Sequence, residues 1–284
     1  MFNQQQDGPI RRNPVNQVVI IIVLLAGLLA WLFWHRQVAG QRRVAGDSMS
    51  VLALKVSRFA QLATAGNEKA FENLGTATQV FATALQDVNV HGDPQGDESL
   101  LAVNKAWVQV SEDSQTVLAS QDALVSLHDV QPRLLEELGD FSAADDALVA
   151  SLLTAGASSA QIVQAAQIAV ITQRLRYAAV AAMAVNSGAV PAATGFGDDL
   201  QRLGHLIDGQ VNGSEELHIA RLPESRAREL LLDLSNNYQQ HVLPDGTSFH
   251  GHLLALYKAA DASNHINHEC DDLLVALEKL GNAS

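Results

Sequence analysis

The chain has 284 residues and a formal net charge of −13, with 48% of residues apolar but only 5% aromatic. That combination excludes a disordered acidic chain, a disulfide-stapled miniprotein and a basic nucleic-acid binder. Beyond residue 50 there are 13 Lys and Arg against 29 Asp and Glu, so most of the surface repels phosphate backbones and no nucleic-acid partner is expected.

Residues 1–17 read as a short N-terminal tail. From Val18 to Trp34 the chain runs without a charge, roughly 26 Å as a helix, close to the hydrocarbon thickness of a bilayer. A cleaved signal peptide is the competing reading. Trp31, Phe33, Trp34, His35 and Arg36 are bulky where a peptidase needs small residues, so an uncleaved transmembrane helix over 18–34 is expected. Arg11 and Arg12 precede the run while Arg36, Arg42 and Arg43 follow it, so charge does not set its orientation.

Strand signals are nearly absent after the anchor, and the spacing predicts helices throughout. The first continues from the membrane to about Ala65, and Asn67–Val90 follows with Asn67 as N-cap after Gly66. Ser99 to about Leu138 comes next, with Pro132 expected to start or kink a helix. Ser142–Leu153 is expected to start on a capping box of Ser142 and Asp145. Ser158–Asn186, Phe196–Val211, Pro223–Gln240 and Thr247–Leu280 complete the set, with Pro94, Pro191, Pro223 and Pro244 falling among loop-forming residues. Leu100, Val103, Trp107, Val110, Ser114 and Val117 alternate in steps of three and four. So do Phe249, Leu253, Leu256, Ala260, Ser263, Asn267, Cys270, Leu274 and Leu277. Both are seams that need partner helices.

The sequence also reads as duplicated. Phe81, Leu85 and Gln86 match Phe196, Leu200 and Gln201, and LLAVNKAW (100–107) matches LLDLSNNY (231–238). The expected architecture is therefore all-α, an N-terminal transmembrane helix followed by two tandem helical bundles over 35–155 and 156–284.

Chemistry is sparse. His250, His252, His265 and His268 lie in the last helix, and Asp261, His265, His268 and Asp272 share one face with donors that suit zinc. That face lies opposite the apolar seam and is expected to be solvated, so no metal or other cofactor is assigned. Cys270 sits on the seam as a small buried thiol. The acid pairs Asp145 and Asp146, Asp198 and Asp199, and Asp271 and Asp272 read as solvated faces rather than acid–base dyads. No phosphate loop or nucleophile elbow is present, and an enzyme is not expected.

The blocks AGDSMSVLALKVSRFAQLATAGNEKAFENL (45–74), VLASQDALVSLHDVQPRLLEEL (117–138), LLTAGASSAQIVQAAQIAVITQRL (152–175) and GFGDDLQRLGHLIDGQVNG (195–213) resemble, in this order, the sensory part of type IV pilus methyl-accepting chemotaxis transducers, the PilJ-type twitching-motility chemoreceptors. The resemblance implies a single-pass inner-membrane receptor with its N-terminus in the cytoplasm and its bulk in the periplasm. It implies a homodimer sensing a pilus-related signal, with pilin as the protein ligand. An adaptor protein and a histidine kinase act as partners where a cytoplasmic signalling region exists. Family members carry an Arg and a Ser-Gln pair near Met49, Leu52 and Ala53, so an anion site does not transfer. The second span, HAMP linker and methylated hairpin do not occur in these residues, so a fragment or a sensor without its own output is expected. Two other readings stand beside it: a non-signalling pilus-associated anchor, and a small-ligand sensor of the nitrate-sensor type.

Overall fold

The computed structural model describes residues 44–91, 97–183 and 190–282. They form α1 (described over 44–64), α2 (Glu68–His91), α3 (Glu98–Ala119), α4 (Gln121–Thr154), α5 (Ser159–Met183), α6 (Val190–Asn212), α7 (Arg226–Asn237) and α8 (Leu243–Asn282). Among the described residues there is no strand, only an isolated bridge between Ser214 and Ile219 in the loop after α6. The all-helical expectation therefore stands.

Two long rods organise the molecule. Ser120 alone separates α3 from α4; its N–H reaches Val117 O at 3.1 Å, and the helix resumes at once. A single π turn, Tyr238–Val242, joins α7 to α8, so the chain runs on from Arg226 to Asn282, roughly 85 Å at 1.5 Å per residue. The rods are antiparallel in one register. Asp113 opposes His265, Arg133 opposes Asp245 and Glu137 opposes His241, each step along the first rod matched by an equal step back along the second.

The other helices fill in around them. At one end α1 lies antiparallel to the C-terminal part of α8, where the Ser57 hydroxyl donates to Asn267 Oδ1 and Cys270 Sγ lies 3.5 Å from Ala53 O. There α2 folds back on α3, with Phe81 stacked on Trp107 at 4.0 Å and the amides of Asn89 and Asn104 bonding to each other. At the other end α5 packs on α4 and α6, and α6 on α7 and the start of α8. One apolar core runs through both groups, with Phe71, Phe81, Phe141, Phe196 and Phe249 fully buried in it.

Several local expectations hold. The seam Leu100–Val117 is buried at every predicted position, and along α8 only Asn267 and Leu274 are half-buried. Gly66 takes φ +81°, and Asn67 caps α2 through Ala70 N at 3.1 Å. Others need correction. The helix expected to start at Ser142 does not start there: α4 runs unbroken through Pro132 and past Asp145, so no helix N-terminus exists for that carboxylate to cap. Pro244 does not mark a loop either. The π turn absorbs an extra residue next to the proline, with Leu243 N–H reaching back to Tyr238 O, and a helix that would otherwise clash with the ring continues. Nearby Gly246 serves packing rather than a turn, since a Cβ there would come within 2.9 Å of Leu200 on α6.

The expected single-pass location in the inner membrane also requires correction. Among the described residues no helix is long and apolar enough to cross a membrane. The apolar residues of α3, α4 and α8 occupy stripes flanked by charge, and α5 interrupts its own with Gln, Ser and Thr. The run 18–34, on which that expectation rested, lies outside the described residues.

Candidate functional site

Midway along the rods, the two helix groups meet around a cavity of about 450 Å³. Gln61, Thr64 and Ala65 at the end of α1, His128 on α4, Met183 at the end of α5, and Leu256, Ala260, Ser263, Asn264 and Asn267 on α8 line it. The local sequence explains its shape. The αL glycine at Gly66 turns α1 back as α2, and the His128 ring lies so close that a Cβ on Gly66 would sit 2.1 Å from its Cδ2. One turn further along α4, Pro132 has no N–H for the His128 carbonyl. His128 Nε2 is buried and meets no hydrogen-bond partner among the described residues.

The lining holds no Lys, Arg, Asp or Glu. It can offer amide, hydroxyl and imidazole hydrogen bonds to a neutral group, but it has no cation to hold a small anion. Of Met49, Leu52 and Ala53, the positions at which no anion site was expected to transfer, Met49 and Ala53 are fully buried in the core and Leu52 is half-buried.

The histidines of α8 do not converge. His250 lies against Phe196, their rings 6.3 Å apart, whereas His265 sits 4.0 Å from Asp113 and 3.9 Å from Asp261. Burial holds the Asp113 carboxyl above the usual range, partly offset by His265. His268 and Asp272 are exposed, and among the described residues no group of three or more His, Cys, Asp or Glu could hold a metal ion. Cys270 is buried, and burial pushes its thiol up to about 12, which keeps it protonated and unreactive.

Two of the acid pairs depart from the solvated reading. Asp146 and Asp198 are exposed, but Asp145 is fully buried and Asp199 nearly so. Asp199 is paired with Arg174 at 3.0 Å. Neither oxygen of Asp145 meets a donor among the described residues, and burial raises its carboxyl to about 7. The pattern carried a signal for this: Asp145 falls three to four residues from Phe141, Leu148 and Val149, on the apolar stripe of α4.

No family model matches the chain. Over 271 residues it is 24% identical to a protein of Alcanivorax borkumensis named for methyl-accepting chemotaxis, AlkN, covering 94% of this chain and 39% of that protein. Over 231 residues it is 24% identical to PilJ of Pseudomonas aeruginosa, covering 78% of this chain and 34% of that one. The chain thus spans between a third and two fifths of the length of these relatives. The resemblance to chemotaxis transducers holds over most of the chain at low identity, and such homologues are not enzymes.

Proposed function

We propose that this chain is the signal-input part of a chemotaxis transducer-like protein, sensing a pilus-related signal for twitching motility with pilin as the protein ligand. The observation that carries this reading is the single register holding the two rods together from Asp113–His265 to Glu137–His241. Such a pair converts a push at one end into a shift at the other, because packed helices slide or tilt as units rather than deforming gradually. The two helix groups act as stacked layers, and the cavity at Gly66 and His128 is the joint between them. A homodimer is the working unit. An adaptor protein and a histidine kinase belong to a signalling region elsewhere in such a protein.

A protein ligand is favoured over a small anion, because the cavity lining is uncharged and Met49 and Ala53 are core residues. Calorimetry on the purified chain tests the reading. Pilin binding that weakens only modestly with salt is expected, as for an interface with an apolar centre and an acidic rim. Submillimolar nitrate binding with no pilin binding would reject it.

A further inference from the structure

Along α8 the core seam changes character over one stretch. Phe249, Leu253 and Leu256 precede it and Cys270, Leu273 and Leu277 follow, all of them buried. Between them stand Ala260, Ser263 and Asn267, small or polar where leucine would fill the space. These three residues line the cavity of about 450 Å³ at the joint, a volume within the ~300–1,000 Å³ range of small-molecule pockets. Ala65, Leu256 and Met183 complete an apolar wall, and the unbranched Met183 side chain adapts to what lies against it.

Hydrogen-bonding capacity is left over at the same place. His128 is held against Gly66 by the turn of α1 into α2, and its buried Nε2 meets no partner among the described residues. The Thr64 hydroxyl donates to Ala60 O at 2.9 Å, which leaves its oxygen as an acceptor. Asn267 Oδ1 accepts from the Ser57 hydroxyl, which leaves the Asn267 amide N–H groups as donors. A residue set chosen only to pack would leave neither the space nor these groups.

We propose that this cavity is a binding site for a small uncharged molecule that joins an apolar body to an amide or hydroxyl group. A group that both donates and accepts satisfies His128 Nε2 in either tautomer of the neutral ring. No Lys, Arg, Asp or Glu lines the cavity, so a charged ligand would lose its hydration without gaining a counter-charge. The lining comes from α1, α4, α8 and the end of α5, so an occupant ties the two helix groups together and stabilises the folded chain. The site stands apart from the pilin reading, and its test contains no pilin, so either can fail without the other.

Benzamide is the probe, and benzoate is its charged counterpart of nearly the same shape. Both are titrated at millimolar concentration into the full chain labelled with ¹⁵N at histidine, and His128→Phe assigns the His128 signals by their loss. Benzamide is expected to move those signals saturably and to raise the melting temperature, whereas benzoate leaves both unchanged. His128→Phe keeps a ring against Gly66 and should weaken benzamide binding at least about tenfold, read by calorimetry. Ala260→Leu, which fills the cavity, should weaken it as much. His128 signals that benzamide does not move would mean that the cavity holds water only and would overturn the proposal. Benzoate binding as well as benzamide overturns the uncharged class, and benzamide binding that survives both substitutions places it elsewhere and overturns the site.

Discussion

Around α1–α3 and the C-terminal part of α8 the interior is apolar and fine-grained: Met49, Ala53, Ala60, Ala63, Phe81, Trp107, Ala259 and Ile266, with Ser114, Ser120 and Ser263 as its buried polar residues. Around α4–α7 it is different. All the buried charged side chains among the described residues, Asp145, Asp199 and Arg228, lie there, together with Gln161, Thr172 and Gln210. Arg228 is accommodated by the carbonyls of Val211 and Leu222 and by Glu224, and Gln210 donates to Gln161 O at 2.9 Å. Among the described residues Asp145 has no such compensation. The same helical architecture thus encloses one end held by close apolar packing and one that carries polar groups at a cost. The second end is therefore the one whose packing is the more readily altered.

The largest expected effect comes from breaking the apolar end. Phe81 is fully buried and stacked on Trp107, so Phe81→Ala should cost about 3–5 kcal/mol in chemical denaturation. Phe196→Ala at the polar end should fall toward the lower part of that range, because exposed His250 beside it can move into the gap. Equal losses would dissolve the contrast between the two ends.

Asp145 gives the next test, with a sign that runs against ordinary acid denaturation. A carboxyl raised in the folded state keeps a proton that the unfolded chain has already released. The stability it allows is complete below about pH 4, falls as pH rises to about 7 and stays low beyond. Asp145→Leu should therefore stabilise the protein by roughly 2–4 kcal/mol at pH 8 and much less at pH 5. Denaturation curves at both values check this, and a loss at pH 8 would show that the carboxylate is paired in solution.

What was legible in the sequence follows from what periodicity encodes. The seams of α3 and α8, the Gly66–Asn67 turn and the burial of Cys270 all follow from which residues share a helix face. Periodicity does not say which helix covers that face, so pairing of α1 with α8 and of α5 with α4 had to come from the structure. Breaker residues misled where packing outweighed local preference. Pro132 lies inside an unbroken α4, and Pro244 is tolerated beside a π turn, where Gly246 admits Leu200. The cavity was not legible, since its lining comes from four separate helices.

A smaller effect separates two αL glycines. Gly66→Ala should cost about 1–3 kcal/mol, because φ of +81° is strained for Ala and the new methyl would strike His128. Gly156→Ala, at φ +67° with nothing within 4 Å, should cost about 1 kcal/mol from backbone strain alone. Thermal melts distinguish them, and equal costs would mean that His128 swings clear and the joint is looser than its geometry.

The smallest effects expected are at two helix starts, where hydrogen exchange resolves what melting cannot. Asn67→Ala removes one capping bond, to Ala70 N at 3.1 Å, and should cost about 1 kcal/mol with faster exchange confined to the first turn of α2. Ser158→Ala should cost a similar amount but spread further. The Ser158 hydroxyl accepts from Gln161 N–H and donates to Gln161 Oε1, while Gln161 Nε2 donates to Ala220 O at 2.9 Å and Gln161 O accepts from Gln210. One hydroxyl therefore orients a glutamine that ties α5 to α6 and to the loop before α7. Faster exchange at Ile219 N–H, which bonds to Ser214 O at 3.0 Å in that loop, is the signature expected of Ser158→Ala and not of Asn67→Ala. Exchange confined to the start of α5 would mean that the polar end holds that loop without Gln161, and its buried polar groups would then be separate bonds rather than one coupled network.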